Sequence, residues 1–476
     1  MRATLLLVVL LLAVLPFTFV QGEPMNPNTD WFHDAGWGVF VHYLYGLQNN
    51  TESLNSLGIE TSWDECVAAF DTERFAEQLT EVGAPYVIFT VMQVSKFMIA
   101  PNTTYDAISG YKPGEACATR DLIYDLSESL SKRDIKLMLY YTGDGPRGDG
   151  QAGAAFGWQD PVTFDFVKKW SDVAREYSER YGQRISGWWV DGCYPWIGYT
   201  DEKLALFAEA LKAGNSKSIV AFNRGVDPVV MSYTLADDYT TGEQNSFYEL
   251  PAGRWLDGEQ WHILSFLGPT WGQPGCKYTK RELGEYVWEV NQRGGVVSIE
   301  VMLYRDGELD RSQFELLKAV GRIKAELDAN PPQPVPPGNL AFRKPATLLS
   351  LDGSHELVVN SGAQFARLGV DGNPATYAQA AGEWAWTYET DLVDPAEVSR
   401  IKVNFASGFP TELELRLSSD DVTWQTVAQG SDLDGSPFEA TFAPTLTRYV
   451  RVCSIKPDGP DQPGSQMSIS ELEVYK

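Results

Sequence analysis

Between residues 38 and 301 the sequence presents eight short apolar runs, several of them separated by amphipathic helical stretches, and no other feature narrows the fold as much. The runs are 38–42, 86–92, 136–142, 187–191, 219–223, 238–241, 262–266 and 296–301; the helical stretches include 72–82, 120–131, 162–181 and 202–212. Strand–helix alternation of this kind implies parallel strands joined by helical crossovers. Eight such units point to an α/β fold, a TIM-like (β/α)8 barrel. The rival is a doubly wound open sheet. No GxGxxG or GxxxxGK(S/T) motif follows the first run, which removes the usual nucleotide-binding reading.

The alternation stops at Asn330–Gly338, a stretch with five prolines in nine residues. Such a segment can neither continue a helix nor join a strand ladder, and it reads as an extended linker. Beyond it the texture changes to short strands, 401–405, 413–418, 423–428, 438–442, 449–454 and 469–475, set between Gly, Pro, Asp and Ser clusters. This predicts a C-terminal antiparallel β-sandwich over 339–476. The barrel is expected over 23–329.

Residues 1–22 read as a secretory signal: Arg2, an apolar run from Leu5 to Phe19, and small residues near a cut before Glu23. The alternative is an uncleaved membrane anchor. No later segment approaches the roughly 18 apolar residues that cross a bilayer. A secreted protein, extracellular or periplasmic, is therefore expected. The net charge of −26 opposes binding to nucleic acid and to other polyanions, so a neutral partner fits better. The five cysteines form no CxxC pair and fix no disulfide pattern. The oligomeric state is not legible.

In a barrel of this type the chemistry sits where the strands end. The ends present His42, Tyr140-Tyr141, Trp189 and Asp191, Asn223-Arg224, Thr241 and Glu243, Glu259 with Trp261, and Glu300. Four histidines in the whole chain are too few for a His-based metal site, and no GxSxG elbow occurs. Carboxylates among aromatic walls fit cleavage of a glycosidic bond, one acid attacking the anomeric carbon and the other protonating the leaving oxygen. Each residue has a plainer reading. Asp191 could cap the following helix, Glu243 could be a solvated loop acid, Arg224 an ordinary ion-pair partner, and His42 a satisfied core histidine.

Taken in order, these segments resemble family 29 of the glycoside hydrolases, the α-L-fucosidases. Trp31 to His42 is similar to that family's WFxDAKFGIFIHWG, Phe70-Asp71 to its FD helix start, Leu139-Tyr140-Tyr141 to LYYS, and Trp189-Val190-Asp191-Gly192 to WFDG. Asn223-Arg224 resembles its NxR, Thr241-Gly242-Glu243-Gln244 its TPEQ, and Trp271-Gly272 its SWGY. The resemblance covers roughly residues 30–325. It implies Asp191 as nucleophile and Glu243 as general acid/base, with Glu259 in reserve for the latter role. It further implies that His42, Trp63, Tyr141 and Arg224 line the sugar pocket, and that catalysis needs no cofactor. The family's KHHDGF reads Met92-Gln93-Val94-Ser95-Lys96-Phe97 here, its LLNIGP reads Ser298 to Leu303, and Ser62 stands before Trp63 where a Glu is usual. These departures touch the residues that read the sugar.

The C-terminal region resembles the discoidin-like (F5/8 type C) jelly-roll sandwiches of carbohydrate-binding module family 32. The matching segments are Asn339-Leu340-Ala341, Val370 to Thr376, Tyr449 to Val452 and Ile469 to Tyr475. The resemblance implies a structural Ca²⁺ held by Asp371, Asn373, Thr376 and Glu471, all hard oxygen donors. The expected activity is exo-hydrolysis of terminal α-L-fucosyl or related residues from a glycan, by a retaining double displacement. The alternatives are the same mechanism on another sugar and a catalytically silent carbohydrate-binding protein.

Overall fold

The computed structural model describes residues 26–227, 229–247, 249–251, 253–329, 338–357, 365–380, 382–455 and 466–476. The expected signal segment and linker residues 330–337 lie outside the described residues.

Seven parallel strands form a curled sheet: β1 (Trp37–Val41), β2 (Tyr86–Thr90), β3 (Lys136–Thr142), β4 (Ile185–Asp191), β5 (Ile219–Phe222), β8 (His262–Phe266) and β9 (Val296–Val301), in the order β5-β4-β3-β2-β1-β9-β8. A small antiparallel hairpin, β6 (Trp255–Leu256) and β7 (Glu259–Gln260), leads into β8. The eighth strand position, between β5 and β8, is taken by residues 238–243. Tyr239 bridges Gln260 and Glu243 bridges Leu264, both in parallel sense. On the β5 side the carboxylates of Asp237 and Asp238 accept from the backbone N–H groups of Phe222 and Val220, each at 2.8 Å. Side chains there do what a ladder would do, so the expected strand at 238–241 is present in position but irregular. The (β/α)8 architecture is as expected.

The strands alternate in facing. Inward residues build the barrel interior, including Phe40, Tyr86, Met138, Tyr140, Trp189 and Leu264; outward residues pack under the helices. The floor at the amino-terminal ends is a sealed plug. Tyr86 crosses it to reach Ser298 at 2.7 Å, and His262 meets the same hydroxyl at 2.8 Å. Burial pushes the His262 imidazole down to about 4, so it is neutral there. Gly38 is required by this plug, because a Cβ at that position would stand 2.5 Å from the Tyr86 ring. Outside, helices start on side-chain caps, such as Asp71 for Thr72–Val82 and Thr163 for Phe164–Tyr181.

The C-terminal unit has its own core, centred on Trp386, Tyr388, Ile401, Leu415, Val452 and Leu472. Its strands are β10 (Ala346–Ser350), β11 (Trp386–Phe405), β12 (Leu413–Ser418), β13 (Gln425–Gly430), β14 (Phe438–Ser454) and β15 (Ile469–Tyr475), all antiparallel. The segments 438–442 and 449–454, expected as two strands, belong to one long β14. Register shifts between Asp391 and Ala396 and between Val398 and Arg400 bend the β11–β14 pair without a turn. Two ion pairs, Arg343–Glu289 at 2.6 Å and Arg367–Glu282 at 3.2 Å, tie this unit to the barrel helix Lys280–Gln292.

Candidate active site

The carboxyl-terminal ends of the barrel strands surround a cleft of about 600 Å³ whose wall includes His42, Gln93, Tyr140, Trp189, Asp191, Glu243 and Trp271. Period-two facing decides which residues arrive there. In β4, Trp189 and Asp191 point inward while Trp188 and Val190 point out. In β3, Tyr140 stacks on Trp189, with ring centroids 5.5 Å apart and 17° between planes.

Asp191 is held by neutral donors. Its Oδ1 accepts from the Asn223 amide at 2.9 Å and the Tyr194 hydroxyl at 3.1 Å; its Oδ2 accepts from Tyr140 at 2.7 Å and, more weakly, from Gln93 at 3.5 Å. No Lys or Arg pairs with it among the described residues. The same Asn223 nitrogen donates to Glu243 Oε2 at 2.6 Å. One NH₂ group therefore spans both acids, and the two accepting oxygens can lie no farther apart than those two bonds laid end to end, about 5.5 Å. Burial, and then the charge of Asp191, push the Glu243 carboxyl up to about 7, against the opposing pull of the Asn223 hydrogen bond. The pair thus combines a carboxylate surrounded by donors with an acid that keeps its proton near neutral pH.

The remaining wall sets shape. His42 faces the cleft, and its Nδ1 meets the fully buried Glu300 at 3.2 Å; Glu300 also accepts from the Gly272 N–H at 2.8 Å. A partner on Nδ1 leaves Nε2 toward the cleft. Val94 stands in the wall with φ +59, a conformation costly for a β-branched residue, and its carbonyl is fixed by the Gly148 N–H at 2.9 Å.

Other residues expected at the pocket stand elsewhere. Tyr141 points outward from β3, fully buried and stacked on Trp170 at 5.0 Å; its neighbour Tyr140 occupies the cleft instead. Trp63 lies behind the wall, its indole N–H bound to the Met98 carbonyl at 2.8 Å and its ring beside Tyr45 and Phe97. Arg224 turns to Asp227 at 2.8 Å and lies over the Tyr233 ring. Glu259 sits in β7, five residues before the Leu264 that bridges Glu243, and is not part of the cleft wall. Its carboxyl is also pushed up to about 7 by burial, but it is bound to Ser232 and has no part in the cleft. An elevated carboxyl alone therefore does not separate Glu243 from Glu259; position does. Tyr140 and Asn223 stand among the strand ends and Gln93 in the segment that departs from KHHDGF, but the sequence assigns none of them a role at the acids, and Tyr194 carries no signal in it. The register of Tyr140 opposite Trp189 is the signal that could have found the first inward tyrosine.

In the C-terminal unit, Asp371 accepts from the Asn373 N–H and the Thr376 hydroxyl, each at 2.8 Å, while Glu471 accepts from the Gly372 N–H at 2.8 Å. Asp371, Asn373 and Thr376 thus share one turn, and Glu471 reaches it from β15. Burial pushes Asp371 up to about 6 and Glu471 up to about 8. Among the described residues no group of three or more His, Cys, Asp or Glu side chains is placed to hold a metal. A cation there would need amide, hydroxyl or carbonyl oxygens beside the two carboxylates.

The family model for α-L-fucosidases matches residues 20–325, more than half of the chain. The chain belongs to the α-L-fucosidase family. This fucosidase-family chain is accordingly a glycoside hydrolase. A second model, for NedA-like, galactose-binding F5/F8 type C domains, matches residues 368–452. Among solved structures, a GH29 fucosidase from Ruminococcus gnavus in complex with fucose is 15% identical, with TM-score 0.42, covering 95% of this chain and 94% of that one. The α-L-fucosidase AlfC from Lactobacillus casei, in complex with its α-L-fucose product, is 17% identical, with TM-score 0.45, covering 64% and 100%. A chitosan-binding module from Paenibacillus sp., bound to chitotriose, is 26% identical over 29% of this chain and all of that one, with TM-score 0.25. No curated protein matches the chain. Among the described residues no helix is long and apolar enough to cross a membrane.

Proposed function

We propose that the protein is a secreted, retaining exo-glycosidase that removes terminal α-L-fucosyl or closely related residues from glycans. Asp191 attacks the anomeric carbon as Glu243 gives its proton to the leaving oxygen, so the glycosidic C–O bond breaks and an ester to Asp191 forms. Glu243, now ionised, takes a proton from water, which attacks the same carbon and releases the sugar and free Asp191. The observation that carries this reading is the Asn223 amide shared by both carboxyls, which keeps the two accepting oxygens within about 5.5 Å, short of the roughly 6.5–9.5 Å of inverting pairs. The raised Glu243 supplies an acid that is still protonated near pH 7. Proton NMR of an aryl α-L-fucoside during hydrolysis tests the mechanism: the first product should be the α anomer, and β-L-fucose appearing first would overturn it.

A second reading keeps the mechanism and changes the sugar. It rests on Gln93 and Val94, since the Gln93 amide donates at 2.8 Å to Tyr140 and is thereby turned toward the nucleophile, while Val94 offers the cleft only an apolar surface. Comparison of aryl α-L-fucoside with aryl galactosides and other aryl glycosides separates the two. Secretion rests on the apolar run near the amino terminus. In the C-terminal unit, the turn of Asp371, Asn373 and Thr376, with Glu471 reaching it from β15, is proposed to take a structural Ca²⁺, which would keep both buried acids ionised.

A further inference from the structure

The loop after β4 carries a residue that the hydrolytic mechanism leaves unused. Trp196 is 67% exposed, a large apolar face left in water five residues after Asp191. It is nevertheless rigidly built. Its ring stacks on Tyr194 with centroids 4.5 Å apart and 16° between planes, and the Tyr194 hydroxyl is the group that donates to Asp191 Oδ1. The far edge of the indole rests on Gly225, where a Cβ would stand only 2.9 Å from Cη2; Gly225 has φ +113, and its N–H donates to Asn223 Oδ1 at 3.1 Å. The glycine is needed here both for its backbone angle and for the indole's approach. Trp196 is therefore seated on the same turn whose Asn223 holds Glu243.

That placement has a chemical consequence. Glu243 delivers its proton to the leaving oxygen, and Glu243 is bound by the same Asn223–Gly225 turn on which the exposed indole rests. We propose that Trp196, braced by Tyr194 and Gly225, is the stacking platform for the pyranose ring of the leaving group. The proposal deepens the glycosidase reading and rests on it. A neutral sugar ring has a flat face of C–H groups that gains from leaving water against an indole, and an acidic protein does not repel it.

The test compares two substrates that share a glycone and differ in leaving group. Wild type and Trp196→Ala are assayed with α-L-fucosyl fluoride, whose leaving group cannot stack, and with 2′-fucosyllactose, whose lactose can. The variant should lose about tenfold in kcat/KM on 2′-fucosyllactose, the scale of one apolar face withdrawn from water, and change less than about twofold on the fluoride. Trp196→Phe should recover most of the loss. Equal losses on both substrates, or no loss on 2′-fucosyllactose, would overturn the platform. If wild type leaves the fluoride intact, the fucosidase reading fails by itself. The platform is then judged by titrating the protein with lactose and following tryptophan fluorescence. A change present in wild type and absent from Trp196→Phe supports it, and identical titrations overturn it.

Discussion

Replacing Asn223 by alanine perturbs both acids through one atom, and the structure gives the sign as well as the size of the effect. The buried amide donates to Asp191 at 2.9 Å and to Glu243 at 2.6 Å. Removing it leaves Asp191 with Tyr140, Tyr194 and the weaker Gln93 contact. A hydrogen bond to a charged group contributes about 1.5–3 kcal/mol and one to a neutral acid about 0.5–1.5 kcal/mol, so loss of both should cost roughly 2–4.5 kcal/mol in the transition state, about 30- to 2,000-fold in kcat/KM. The pH profile is the sharper readout. The Asn223 hydrogen bond holds the Glu243 carboxyl down, while burial and Asp191 hold it up, with a balance at about 7. Without the amide only the raising causes remain. The basic limb of kcat/KM, where the acid loses its proton, should therefore move to higher pH. Asn223→Asp, which adds a third negative charge, should move it further. The assay is kcat/KM from pH 4 to 9 on phenyl α-L-fucoside, whose poor leaving group needs the proton, with thermal unfolding run in parallel to register any loss of fold. A basic limb that stays in place or moves down, or a loss under about twofold, would refute the reasoning.

Three further outcomes follow from the same geometry. Glu243→Ala should lower kcat far more on phenyl than on 2,4-dinitrophenyl glycoside, and azide should partly restore it; equal losses on both would remove Glu243 from the acid role. Glu259→Gln should leave kcat/KM within about twofold, since Glu259 lies outside the cleft, but should change stability with pH. Its carboxyl is raised from 4.5 to about 7, mainly by burial, so its stabilisation is complete below about 4.5 and lost as pH rises through about 7. The melting temperature of the variant relative to wild type should accordingly climb between pH 5 and 8, and parallel curves would contradict this. Calcium at millimolar concentration should raise the melting temperature of the whole chain, a chelator should reverse it, and Glu471→Gln should abolish the shift; indifference to calcium would reject the cation site.

The barrel was legible because its signal is periodic. The runs at 136–142, 262–266 and 296–301 coincide with β3, β8 and β9, and the helix at 72–82 ends at Gly83 with φ +76, as its sequence demands. Asp191 and Glu243 were legible as strand-end acids, and the fold brings them to one amide. What the sequence hid depends on facing and on depth along a strand. Tyr140 and Tyr141 are adjacent and chemically identical, and only the register of β3 on β4 turns the first into the cleft. Glu259 and Glu243 look alike as buried acids, yet only Glu243 faces the cleft, while Glu259 is bound to Ser232. Asn223, which unites the site, carries no charge and follows no spacing rule. Trp63 and Arg224 sit in segments that resemble the family, but here the indole supports Tyr45 and the guanidinium is engaged by Asp227. In the C-terminal unit, bulges joined what turn signals had separated, because a bent strand keeps its ladder where a turn would break it.

A retaining double displacement requires Asp191 to become covalently bound to the sugar. Reaction with 2-deoxy-2-fluoro-α-L-fucosyl fluoride, which slows the second displacement, followed by mass spectrometry of the intact and digested protein, reads this directly. One fluorofucosyl adduct per chain is expected, on the peptide containing Asp191, and none in Asp191→Asn. An adduct on any other residue, or turnover of the probe with no adduct and with inversion at the anomeric carbon, would contradict it.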